Sequence, residues 1–403
     1  MKKKNIFKLN SVVLVFLLAA CNSSSSTFES SDVEANNENS EEGVIIAETK
    51  ESLGEKLFKD SELSRNGNQS CATCHNPDHA FIDDRINASS VDTTTPGAVS
   101  LGQDDLSLGD RNTPTAAYAA FGPDFHFNQE EGLFMGGQFL DGREPDLQGQ
   151  AGQPFLNPVE MQSTKADVVS KVENKYGDAM RHLYGEQIFD TVDSAYDAIT
   201  ESIGAFEETD VFAPFDSKFD KVLQGEAAFT EEEQQGFVLY VLKRKGNCAA
   251  CHPVPTALSE EHESVFTDFT YDNLGVPVNH LARSVNGKEK DFVDNGLFDN
   301  PAVDDPSLKG AFRVTGLRNM AVTGPYMHNG VFKDLKTVVH FYNTRDVDGA
   351  INPETGEEWQ PSEVDVTKNT EELGNLGLTD AEEDAIVAFL KTLTDSRYEH
   401  LIP

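Results

Sequence analysis

The chain has 403 residues, 69 of them acidic against 32 basic, for a formal charge of −37. Such a surface repels nucleic acid and anionic lipid headgroups, which excludes polyanion binding and favours a basic partner or a saline habitat. The length exceeds what one core usually serves, so two domains are expected.

Residues 1–20 read as an export signal. Lys2, Lys3, Lys4 and Lys8 make a basic segment and Ser11 to Ala20 an apolar run too short to span a bilayer. Leu18-Ala19-Ala20-Cys21 matches a lipobox, in which cleavage leaves the Cys21 thiol for a diacylglycerol. The alternative is an ordinary secretory signal with a cysteine nearby. Loss of the four leader lysines takes the formal charge to about −41. Asn22 after the cysteine points to the outer membrane, so a periplasm-facing, lipid-anchored protein is expected. Residues 21–48 are rich in Ser, Asn and Glu and read as a solvated tether.

The folded part divides at about Gly225 into residues 49–225 and 226–403. Each half carries one CxxCH pentapeptide: Cys71, Cys74 and His75 in the first, and Cys248, Cys251 and His252 in the second. Two thiols at this spacing can add to the vinyl groups of one haem, and the adjacent His ligates its iron. Two covalent c-type haems are therefore expected, and no cysteine remains for a disulfide. A repeat brackets both pentapeptides. Leu53 to Phe58 precedes the first and Gln235 to Tyr240 the second. An Ile-x-Ala-Phe-x-x-Thr pattern follows each, at Ile203 to Thr209 and Ile386 to Thr392. Apolar residues three and four apart mark amphipathic helices. Thr230-x-x-Glu233 reads as a capping box and Thr379 as a helix cap. Gly and Pro scattered through 92–160 and 253–330 predict irregular loops walling the haems. The fold class is mainly α: two cytochrome c-like haem domains with long irregular loops.

A haem iron with a vacant sixth position and an acid–base group beside it can do peroxide chemistry, whereas a capped one carries electrons. Gln150 and Glu160, in the segment from Gln150 to Met161, are the polar candidates. A desolvated Glu suits proton exchange with peroxide. On residue types alone, a Glu bracing a loop is the simpler reading.

In these blocks the chain resembles the bacterial di-haem cytochrome c peroxidases and the related MauG proteins, which mature a tryptophan-derived quinone in a partner protein. The matching segments are 53–58, 70–81, 111–115, 139–143, 150–161, 246–252, 317–330 and 335–343. The resemblance implies a peroxidatic first haem served by Gln150 and Glu160, and a relaying second haem. It implies a calcium ion held by Asn112, Thr323 and Pro325. Oxygen donors are the hard ligands that ion takes. It makes Tyr342 the sixth ligand of the second haem, as in MauG-like members, with Met327 the alternative and His340 a competitor on another side of the helix. Pro154 stands where other members place a blocking His, so the first haem is expected to be open. Leu140 replaces the Trp usual between the haems, leaving Phe139 or Phe134 as the nearest aromatic substitutes.

The implied function is reduction of hydrogen peroxide with electrons from a small redox protein, a c-type cytochrome or cupredoxin. One alternative is MauG-like oxidation of a side chain on a protein substrate. Another, from a different class, is a pure electron-transfer cytochrome.

Overall fold

In the computed structural model the described residues are 49–255, 265–288 and 291–403. The signal, Cys21 and the tether lie outside them. Ten α-helices, several short 3-10 turns and two short antiparallel ribbons occur among the described residues. The mainly helical expectation therefore holds.

The first half opens with α1 (Lys50–Lys59), where Thr49 and Ser52 form a reciprocal capping box and Leu53, Leu57 and Phe58 point inward. The first pentapeptide forms the four-residue α2 (Cys71–Cys74). An exposed ribbon follows, β1 (His126–Asn128) paired with β2 (Leu133–Met135). His126 lies on this ribbon, exposed. Next come α3 (Leu147–Leu156), α4 (Lys165–Tyr184) and α5 (Val192–Glu207). Side chains of Asp146, Thr164 and Thr191 cap the three, satisfying N–H groups a helix start leaves open. The expectation of loop throughout 92–160 needs correcting at α3. Gly149, Gly152 and Pro154 disguise this helix, and Pro154 sits inside it.

α6 (Lys218–Leu223) precedes Gly225 but packs its Phe219 against Phe389 of the second half, which holds α7 (Glu231–Val241), α8 (His280–Val285), α9 (Leu335–Thr344) and α10 (Asp380–Lys391). β3 (Tyr271–Asp272) pairs with β4 (Phe312–Arg313). Both expected caps are present: Thr230 with Glu233 opens α7, and Thr379 with Glu382 opens α10.

The sequence repeat is a repeat of packing. On α1, a Cβ at Gly54 would fall 1.8 Å from the Ser202 carbonyl oxygen and 2.9 Å from Phe206 Cβ of α5. On α7, a Cβ at Gly236 would fall 1.8 Å from the Ala385 carbonyl oxygen and 2.9 Å from Phe389 Cβ of α10. In each pair a glycine lets two helix backbones touch, in the same register of the repeated pattern. One hydrophobic cluster gathers around Leu53, Phe58, Phe155, Ile199, Ile203 and Phe206, and a second around Tyr240, Phe266, Phe341, Ile386 and Phe389.

All described residues fall in one compact unit, 46–403. Polar ties bind the two clusters' surroundings. Arg318, held by Asp220 through two bonds of 2.8 Å, lies over the Tyr118 ring of the first cluster at 5.0 Å. The Tyr118 hydroxyl donates to Asp395 at 2.6 Å, and the Tyr398 hydroxyl to the Pro77 carbonyl at 2.7 Å.

Candidate active site

Each CxxCH forms a single tight turn that brings its histidine back over its first cysteine. The backbone N–H of His75 donates to the Cys71 carbonyl (2.8 Å), and that of His252 to the Cys248 carbonyl (2.9 Å). The rings are oriented alike. The Nδ1–H of His75 donates to the Phe81 carbonyl (3.1 Å), and that of His252 to the Phe266 carbonyl (2.8 Å). Both phenylalanines have left-handed backbones, with φ of 54° and 55°. A carbonyl on Nδ1 sets the tautomer and leaves Nε2 as the free donor atom, the arrangement a metal-bound imidazole uses. Burial lowers the pKa of His75, and brings that of His252 down to about 4, so both rings are neutral. Sequence reasoning missed Phe81 and Phe266. They lie six and fourteen residues past their histidines, so the repeat does not align them.

Cys248, Cys251 and His252 line a cavity of about 300 Å³. Its wall includes Tyr342 and Met327, and also Leu140 from the first half. The expected ligand Tyr342 and its alternative Met327 thus both face the second pentapeptide's cavity. Burial, then the neighbouring Cys251 and Cys248 sulfurs, raise the Tyr342 phenol's pKa well above its usual value. A bound cation is what would draw the proton off. His340, two residues away on α9, turns elsewhere: its Nδ1 meets a Glu383 carboxylate oxygen at 2.8 Å. Leu140 faces this cavity. The Phe134 ring stacks on Phe125 (5.4 Å between centroids), and Phe139 lies under the Arg143 guanidinium at 3.7 Å.

Near the first pentapeptide the chemistry is acidic. Glu160 follows α3 in a turn held by Asn157, whose side-chain amide donates to Glu160 Oε1 at 2.6 Å. Its backbone carbonyl accepts from Gln103 (2.9 Å). Burial pushes the Glu160 carboxyl up to about 7, against the pull of Arg143. Its charge is felt at both Cys71 and Cys74. Gln150 lies on α3 four residues before Pro154, so the two share a helix face. A second acid, Glu207 at the end of α5, also acts on Cys71. Burial alone lifts its pKa to about 8, and its Oε2 has no partner among the described residues. Sequence reasoning passed over Glu207 because it continues a helix pattern used for packing.

The residues present fit two covalent haems: paired thiols that form no disulfide, oriented neutral imidazoles, and for the second pair a lined cavity. Asn112, Thr323 and Pro325 also come together, around a separate cavity of about 10 Å³ with Asp83 in its wall. Among the described residues no helix is long and apolar enough to cross a membrane.

Comparison with known proteins agrees with this chemistry. Residues 48–228 match the family described as di-haem cytochrome c peroxidase. The chain is 46% identical over 357 residues to the methylamine utilization protein MauG of Paracoccus denitrificans, covering 87% of this chain and 89% of that protein. It is 29% identical to the cytochrome c551 peroxidase of Pseudomonas aeruginosa, over 80% of this chain and 78% of the relative. The crystal structure of the diheme peroxidase BthA from Burkholderia thailandensis superposes with a TM-score of 0.78 and 32% identity, covering 89% of this chain and 88% of that one. With two oriented CxxCH motifs and this extent of similarity, the chain belongs to the family of di-haem cytochrome c peroxidases and MauG proteins, and is an oxidoreductase.

Proposed function

We propose that this protein reduces hydrogen peroxide at its first haem site and receives electrons through its second. The carrying observation is Glu160, a carboxyl brought to about 7 by burial, whose charge is felt at the Cys71 and Cys74 pair. A haem held by Cys71, Cys74 and His75 would supply an iron able to bind peroxide and accept its oxidising equivalents. Glu160 accepts the proton of the peroxide oxygen that stays and returns it to the oxygen that leaves. A group poised near neutrality does both efficiently. Gln150 orients the peroxide with its amide. Two electrons and two protons complete the conversion to two waters.

Tyr342 would ligate the iron of a haem held by Cys248, Cys251 and His252, a role its place in the cavity wall supports, with Met327 the alternative. A phenolate favours the higher oxidation states of iron, which suits a relay that stores oxidising equivalents. Asn112, Thr323 and Pro325 hold a calcium ion, with oxygen ligands of the right type around a cavity of ion size. Residues 49–225 and 226–403 form the two haem lobes. The chain is exported, processed before Cys21 and lipid-anchored facing the periplasm, where a small c-type cytochrome or cupredoxin is its electron donor.

A second reading has the oxidising equivalents spent on a side chain of a protein substrate. The 46% identity to a MauG protein favours it.

Two measurements test the proposal. Holoprotein should show one high-spin and one low-spin ferric signal in EPR, the low-spin signal being lost in Tyr342→Phe. It should also oxidise a reduced c-type cytochrome when peroxide is added. Two low-spin signals unaffected by peroxide would identify an electron carrier instead.

A further inference from the structure

Arg313, on β4, lines the large cavity beside Cys251 and His252. Its Nη1 donates to the Gly137 carbonyl at 2.5 Å. Its Nε is buried without a hydrogen-bond partner, and no carboxylate lies within ion-pair distance among the described residues. Asp141, in the loop that meets β4, is already held by Arg111 at 2.5 Å and Arg143 at 2.9 Å. The Arg313 backbone N–H donates to the Leu140 carbonyl (2.9 Å), which anchors this cation at the wall where the first half meets the cavity.

A guanidinium removed from water with no anion facing it is strongly disfavoured. Burial indeed pulls its pKa down, opposed only by the Tyr271 hydroxyl. Among the described residues the half-buried Arg111 has Asp294, and the buried Arg318 has Asp220. The missing anion must therefore come from what fills the cavity. We infer that Arg313 is the counter-ion of a propionate carboxylate of the second haem, and so fixes that haem's seating and raises its reduction potential. The planar guanidinium, with Nε unused, suits a carboxylate better than a point charge would. A fixed positive charge beside a haem favours the reduced iron, which carries one positive charge fewer.

The inference rests on the reading that the second pentapeptide carries a haem. The test uses purified holoprotein, with haem counted by the pyridine haemochrome assay before anything else is read. One haem per chain, absent from Cys248 and Cys251, would overturn that underlying reading. With two haems bound, Arg313→Gln should lower the second haem's midpoint potential in spectroelectrochemistry. The expected change is about tenfold in its one-electron equilibrium, equal to about 59 mV. The first haem should move less. Arg313→Lys keeps the charge and loses the fork. It should hold the potential near wild type yet shift the haem propionate bending bands in resonance Raman. If Arg313→Gln fails to assemble, the Raman bands of Arg313→Lys decide alone. Unchanged potential in the Gln variant, or unchanged propionate bands in the Lys variant, would overturn the inference.

Discussion

Replacing Glu160 by Gln should weaken catalysis and strengthen the fold at once. Gln keeps the acceptor oxygen that takes the 2.6 Å bond from Asn157, and removes only the ionisation. General acid–base groups contribute on the order of 10²–10⁴ in rate, so turnover with peroxide should fall by at least about a hundredfold. At 1.36 kcal/mol per tenfold, that is a barrier increase of about 3 kcal/mol or more. The stability effect has the opposite sign. Burial raises the carboxyl from 4.5 to about 7 in the folded chain. Below the lower value both states hold the proton and nothing differs. Between the two, the unfolded chain ionises first, so stability falls as pH rises, and above about 7 the full cost stands. The ceiling of that cost is about 3 kcal/mol, reduced by any water that reaches the half-buried group. Glu160→Gln should therefore melt like wild type at about pH 4 and above it at about pH 8. Steady-state turnover and thermal melts followed by circular dichroism, at both pH values, read the two effects. Wild-type turnover in the variant, or a lower melting temperature at about pH 8, would refute the reasoning.

Further outcomes follow from the packing and the small cavity. Gly236→Ala places a methyl 1.8 Å from the Ala385 carbonyl and should destabilise the chain by about 3 kcal/mol or more, read by urea denaturation. Gly54→Ala should do the same through Ser202. Arg111→Met leaves Asp294 buried and unpaired. Burial alone would raise that carboxyl, but Arg111 holds it at about 2, so about 3–5 kcal/mol should be lost at neutral pH. Calcium chelation should lower the melting temperature of wild type and leave that of Asn112→Ala unchanged, by scanning calorimetry.

Much of this was legible in the sequence because covalent haem attachment and close helix crossing demand particular residues at fixed spacing. Cys71, Cys74 and His75 advertise themselves, as do Gly54 and Gly236 once the repeated segments are aligned. Thr230 and Thr379 announce their helices through the acids three residues on. What was not legible depends on chain paths with no local signature. Phe81 and Phe266 act through their carbonyls, and a phenylalanine gives no hint of a left-handed backbone. Helix α3 was masked by its own Pro154. Arg313 reads as an ordinary charged residue on a strand. What singles it out is that no carboxylate faces it among the described residues, a property of the assembled fold.

The repeat also shows where the two halves part company. Phe206 and Phe389 occupy matching places against Gly54 and Gly236. The next residue is Glu207 in the first half and Leu390 in the second. Glu207 is buried with an unpartnered oxygen and acts on Cys71, whereas Leu390 lines the second cavity as a plain hydrocarbon wall. The same scaffold thus sets two carboxyls, Glu160 and Glu207, with pKa values near 7 and 8, around the first thiol pair. Around the second it sets a phenol and an unpaired guanidinium. Groups that can gain or lose protons near neutral pH suit a site that consumes protons with each O–O bond broken. A phenol that gives up its proton only to a bound metal, and a guanidinium that stays charged near neutral pH, suit a site that exchanges electrons alone. On the proposed reading, the division of labour follows from a few side chains placed on duplicated helix pairs, not from a difference in fold between the halves.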